Sequence, residues 1–147
     1  MTIHLYGRLH KLFRRANFSH RTGNWEFLTN IDILSAKDSE TGKTLQRRAK
    51  QTGVVEVRHY LGNLSLGVQA RGVSSRYNNS ANTQKLGGYG LLNLDANYHF
   101  DHDWSVFAKI NNLFDRDYTL VRSTLNPYND YATPGRNLFV GVRYQPK

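Results

Sequence analysis

The chain has 147 residues, enough for one domain, and carries 20 Lys and Arg against 11 Asp and Glu, a formal net charge of +9. It has no cysteine, which excludes a disulfide scaffold, a zinc–thiolate site and a thiol nucleophile. No apolar run approaches the roughly 18 residues of a membrane helix, and a mean hydropathy of −0.62 argues against a helical membrane protein without touching a barrel, which is half polar by construction.

In chain order, residues 1–21 read as an ill-defined basic segment. Thr2 to Tyr6 suits a short strand, and Lys11, Arg14 and Arg15 alternate with Leu12, Phe13 and Phe18. The start lacks the apolar core of an export signal. The basic runs at 11–21 and 43–50 suit an anionic partner such as nucleic acid or lipopolysaccharide, or simply a solvated face.

Thr22-Gly23-Asn24 reads as a turn. From Trp25 to Ala36, Trp25, Phe27, Thr29, Ile31 and Ile33 fall on one face and Glu26, Leu28, Asn30, Asp32 and Leu34 on the other. A polar loop over 37–43 leads to an extended run from Leu45 to Tyr60, then a tight turn at Leu61-Gly62-Asn63. Leu64 to Tyr77 alternates again. A long loop over 78–89 follows, then a strand over 91–100 and a turn at Asp101-His102-Asp103. A strand from Trp104 to Thr119, a loop over 120–134 and a closing strand from Arg136 to Tyr144 complete the pattern.

Each strand has one apolar and one polar face. A soluble sandwich would bury the apolar face, and an outer-membrane barrel would turn it to lipid. The connections decide between them. Short turns at 22–24, 61–63 and 101–103 alternate with long loops, so a meander gathers all short turns at one end and all long loops at the other. That is the layout of a membrane barrel. Arg58, Arg71, Lys109 and Arg143 all fall on the polar face, where they avoid the roughly 2–4 kcal/mol cost of a cation facing lipid near midplane.

Asn112-Leu-Phe-Asp-Arg-Asp-Tyr118 resembles the next-to-last strand of TonB-dependent outer-membrane receptors. Tyr131-Ala-Thr-Pro-Gly-Arg136 with the alternating Leu138 to Tyr144 resembles their last loop and last strand. Leu45-Gln-Arg-Arg-Ala-Lys-Gln51 and the strand layout look most like the vitamin B12 (cobalamin) receptors, and the likeness covers about residues 22–145. The resemblance implies an all-β fold: an antiparallel up-and-down meander of six to seven strands, the C-terminal part of a 22-stranded transmembrane β-barrel. Residues 22–147 would be barrel strands, with the plug domain absent.

The implied function is import of a scarce ligand across the outer membrane of a Gram-negative bacterium. Cobalamin leads, an iron–siderophore complex follows and haem trails; the chain is not expected to transport alone. The implied partners are that ligand, outer-membrane lipid and lipopolysaccharide, the barrel-assembly machinery, and TonB through the missing plug. The resemblance also places Arg47 and Tyr131 beside the ligand. Both fall at loop–strand junctions, where an Arg donates to amide or phosphate oxygens and a Tyr stacks and hydrogen-bonds. Ala81 stands where those receptors can offer a further ligand-facing Tyr, and Tyr144 is followed by Gln145-Pro146-Lys147 where the family usually ends in an aromatic.

Two other classes compete. One is a complete small barrel of structural or adhesion role. The other is a basic all-β module that binds single-stranded nucleic acid, with Tyr60, Tyr77 and Phe107 as stacking platforms. No enzyme is expected: Gly87-Gly-Tyr-Gly90 matches no phosphate-binding loop and no nucleophile elbow occurs. No cofactor or metal is expected either. His99 and His102 flank a turn without a third ligand, and Asp115, Asp117 and Asp130 lack a regular loop of oxygen donors.

Overall fold

The structure is a computed structural model that describes residues 2–6, 9–123, 130–131 and 133–146. Among the described residues ten strands follow one another: β1 (Thr2–Tyr6), β2 (Leu9–Thr22), β3 (Trp25–Asp38), β4 (Gln51–Leu61), β5 (Leu64–Val73), β6 (Arg76–Tyr77), β7 (Lys85–Leu86), β8 (Tyr89–His99), β9 (Trp104–Asn111) and β10 (Asn137–Tyr144). Eight of them form one antiparallel sheet in the order β1-β2-β3-β4-β5-β8-β9-β10, and β6 and β7 form a separate small hairpin. The up-and-down meander expected from the alternation is therefore present.

Its extent differs from expectation in four places. The stretch without a clear pattern, residues 1–21, contributes β1 and the 14-residue β2, which pairs with β3 from Leu9↔Asp38 to Thr22↔Trp25. Its amphipathic signal is weak because Arg14 and His20 share a face with Leu12, Ala16 and Phe18. The run expected from Leu45 becomes a strand only at Gln51, because Arg47 adopts a left-handed φ of 58°. The β5 strand stops at Val73, and Arg76–Tyr77 turns into the small hairpin. The β9 strand stops at Asn111, because Asn112 and Asp115 sit at φ 53° and 50° and the Asn112 side chain folds back to accept from Arg116 N and donate to Arg116 O.

The tight turns after β2 and β4 are two-residue links with Gly23 at φ 55° and Gly62 at φ 60°, a region glycine enters without a Cβ penalty. Pairing carries the alternation across the sheet. Val57, Val68, Leu94, Ile110 and Leu138 form one cross-strand row, and Arg58, Gly67, Asp95, Lys109 and Phe139 form a row on the opposite face.

Among the described residues, nothing covers the apolar face. Val68, Leu138, Val140 and Val142 are 44%, 64%, 67% and 63% exposed, and Ala36 and Leu86 are the buried hydrophobic residues among those described. A sheet meant for water would bury such a face. Near the tight turns this face becomes aromatic: Trp25 stacks on His59 at 4.0 Å, Tyr98 meets Phe100 edge-on at 5.2 Å, and Trp104 lies 4.6 Å from Tyr144. Such a row at one height is the girdle of a membrane barrel.

Candidate functional site

The polar face carries a connected network. Arg58 donates from Nη1 to Asp95 Oδ2 (2.8 Å) and from Nη2 to Asp95 Oδ1 (3.2 Å) and Glu56 Oε1 (2.9 Å). Gln69 donates to Glu56, Asn93 donates to Gln69, and Asn93 accepts from Asn112 N. Gly67 makes this possible. A Cβ there would overlap Asp95 Oδ1 and stand 3.0 Å from Arg58 Nη2. Nearer the tight turns Tyr60 donates to Glu26 Oε2 at 2.6 Å, and nearer the loops Arg15 forks onto Asp32 at 2.7 and 3.1 Å.

At the long-loop end three loops are cross-linked. The loop after β3 meets the loop after β6 through Asn82, whose amide donates to Thr44 O (2.8 Å) and accepts from Thr44 N (2.9 Å), and through Arg47 N, which donates to Tyr77 O (2.6 Å). The loop after β9 joins them through Asn78, which is fully buried; it donates to Arg122 O (2.8 Å) and Gln84 Oε1 (3.0 Å) and accepts from Arg122 N (3.1 Å). Arg76 is buried as well, donates from Nη2 to Thr119 O and Leu120 O, and lies over the Tyr89 ring, which stacks on Tyr118.

Arg122 forks onto Asp130 at 2.8 and 3.1 Å, and its hydrogen bond holds that carboxyl below the usual carboxylate range. At the other end, the amides of Asp103 and Trp104 lower the Asp101 carboxyl in the same way.

Arg47 and Tyr131 both lie in this loop layer. Arg47 is exposed, with its backbone tied to Tyr77, and Tyr131 is 67% exposed, with its amide donating to Val121 O. The network linking them runs Arg47–Tyr77, Asn78–Arg122 and Val121–Tyr131. The expected motif around Tyr131 includes Ala132, which lies outside the described residues, as do Thr124 to Asn129 of the same loop. Ala81 lines a cavity of about 450 Å³ with Asp38, Thr41, Lys43, Gln46 and Ser80.

Sequence reasoning missed Asn78, Arg76 and Asn82, the residues that hold the loops. Their signal was faint: an Arg and two Asn in a stretch that reads as generic polar loop. Three of the residues weighed as metal ligands have protein partners. His99 Nε2 lies 2.8 Å from Asn97 Nδ2, Asp115 Oδ1 accepts from Arg136 N, and Asp130 pairs with Arg122.

The family described as TonB dependent receptor-like, beta-barrel, matches residues 5–113. A vitamin B12 transporter, BtuB, from Photobacterium profundum is 37% identical over 97 residues, which is 66% of this chain and 16% of that protein. Among solved structures, the copper transporter OprC superposes with a TM-score of 0.80 at 21% identity over 92% of this chain and 23% of its own. The siderophore receptor PiuA from Acinetobacter baumannii gives 0.74 at 18% identity over 92% and 22%. This chain thus spans under a quarter of the length of these relatives. With a profile matching well over half its residues and the same antiparallel meander, the chain belongs to the TonB-dependent receptor-like β-barrel family.

Proposed function

We propose that this chain forms the C-terminal barrel part of an outer-membrane receptor that imports cobalamin when the rest of the receptor is present. The observation that carries the reading is the sheet itself, with a bare apolar face ringed by aromatics at one end, a hydrogen-bonded polar face, and long loops cross-linked at the other end. One face suits lipid and the other a wet lumen. The 37% identical relative is named for vitamin B12, which favours cobalamin over an iron chelate. The solved siderophore receptor supports the fold alone at its 18% identity.

In this reading Arg47 and Tyr131 contact the ligand from the loop layer. Their side chains are exposed, and the backbone that carries them is fixed. TonB acts through the plug, the assembly machinery inserts the strands, and lipopolysaccharide surrounds the loop end. A nucleic-acid module fits less well. Tyr60 is bonded to Glu26, and the Phe107 ring covers Gly141, where a Cβ would stand 2.5 Å from Cζ. Glu56 and Asp95 would also repel phosphates on that face.

The test is a chimera in which this segment replaces the corresponding strands of a full-length cobalamin receptor. Cobalamin binding by equilibrium dialysis should persist, and Arg47→Ala or Tyr131→Ala should weaken it about tenfold, the loss of one charged or stacking contact. Unchanged affinity in both variants would remove these residues from the site. Binding of a ferric siderophore in place of cobalamin would change the ligand.

A further inference from the structure

Arg48, Lys50, Arg76 and Lys85 line one cavity of about 110 Å³, together with Ser75 and Tyr77. Among the described residues, no carboxylate lines it. The side chains of Arg48, Lys50 and Lys85 have no ion pair or hydrogen bond among the described residues. Arg76 is 7% exposed, commits Nη2 to two backbone carbonyls, and leaves a buried Nη1 without an acceptor.

Like charges converging on one small space repel each other, and a buried guanidinium without a counter-charge is costly. An anion in the cavity relieves both. The room equals that of roughly three to four waters at ~30 Å³ each, the size of one partly hydrated tetrahedral oxyanion. The cations come from three segments: Arg48, Lys50 and Lys85 are exposed at the cavity and Arg76 is buried beside it. A tetrahedral oxyanion offers acceptors on all sides, whereas a carboxylate offers one edge.

The cavity also has a defined place. Lys50 O accepts from Leu34 N and Ser74 N donates to Gln51 O, so the pairing of β3, β4 and β5 continues to this point. Lys50 and Ser75 therefore extend the polar-face alternation of Arg58, Glu56 and Thr52 and of Arg71 and Val73.

We propose that this cavity is a phosphate-type oxyanion site at the outer mouth of the polar face, distinct from Arg47 and Tyr131. It rests on local geometry and not on which solute the receptor carries. The oxyanion has two candidate sources, a phosphate ester on a solute in the lumen or a lipopolysaccharide phosphate reaching over the rim.

The test uses the full chain in dodecyl maltoside micelles, with folding verified by heat-modifiable gel mobility. Lysines are acylated in inorganic phosphate or in chloride at matched ionic strength and quantified by peptide mass spectrometry. Phosphate should slow modification of Lys50 and Lys85 about fivefold, as charge-assisted contacts at both amines require, and leave Lys37 and Lys109 unchanged. Arg48→Gln should weaken that protection without altering the control lysines. Equal rates in phosphate and chloride overturn the proposal, as does equal protection of all four lysines. Given protection by inorganic phosphate, stronger protection by glycerol phosphate assigns the site to a solute, and stronger protection by micelles holding a phosphorylated glycolipid assigns it to the leaflet. Phosphate protection that survives in a chimera unable to bind cobalamin would leave this site standing while the transport reading fell.

Discussion

Replacing Arg58 by Met tests the polar-face network at its hub. The guanidinium makes two bonds to Asp95 and one to Glu56, at 2.8, 3.2 and 2.9 Å. Its side chain is 21% exposed, Asp95 28% and Glu56 18%, so the cluster is partly wet and each charged bond belongs at the low end of its range. Three such bonds at roughly 1.5 kcal/mol each, less the desolvation that Met avoids, give a loss of about 3 kcal/mol. Arg58→Lys keeps the charge and loses the fork, and should cost about 1 kcal/mol.

The assay is urea unfolding of the full chain in detergent, followed by the fluorescence of Trp25 and Trp104. Adding Asp95→Asn to Arg58→Met should recover about 1 kcal/mol, because it removes one of the two stranded carboxylates. A loss below ~0.5 kcal/mol for Arg58→Met, with no coupling to Asp95, would show that water already satisfies these groups and that the network contributes nothing to the barrel wall.

Three further outcomes are expected. Val68→Arg should destabilise the chain in lipid vesicles by roughly 2–4 kcal/mol while Gln69→Arg costs about 1 kcal/mol, the bond that Asn93 donates to it, because neighbouring residues face lipid and lumen; equal losses would contradict the facing. Asn78→Ala strands the part-buried Arg122 N–H and C=O and should raise hydrogen exchange across 119–123 about tenfold, or ~1.4 kcal/mol locally. The Asp130 carboxyl is depressed in the folded chain by Arg122. Its contribution is therefore complete above the unfolded carboxyl's range near pH 4 and fades as pH falls through the lower folded value. Exchange at Arg122 and Tyr131, corrected for intrinsic rates, should stay protected at pH 5 and open only in stronger acid. Opening between pH 5 and 7 would count against the pair.

The strands that alternate cleanly were legible because a period of two survives any tertiary context in which one face meets lipid. Leu64 to Val73 and Leu138 to Tyr144 announce themselves. The β2 strand did not, because at the sheet's loop-side margin Arg14 tolerates the apolar face that a midplane position would forbid. The ends of β4 and β9 were misjudged for a different reason. Arg47, Asn112 and Asp115 turn the chain through left-handed geometry, and only Asn and Asp among them advertise that tendency in sequence. Arg47 and Tyr131 came from family likeness, whereas the bonds fixing their backbones depend on Asn78 meeting Arg122 across 44 positions, a pairing no local pattern encodes.

The cross-linking of the loop layer also determines where binding entropy is lost. The backbones of Thr44, Tyr77, Arg122 and Val121 are already hydrogen-bonded, those of Thr44 and Arg122 to the side chains of Asn82 and Asn78, before any ligand arrives. Ordering of those segments is charged to folding; if Arg47 and Tyr131 contact the ligand as proposed, their rotamers are left to immobilise, at roughly 0.5–1.5 kcal/mol each. On that proposal, recognition should behave as docking onto segments ordered beforehand, with a small entropic penalty and little heat-capacity change from Thr44, Tyr77, Val121 and Arg122.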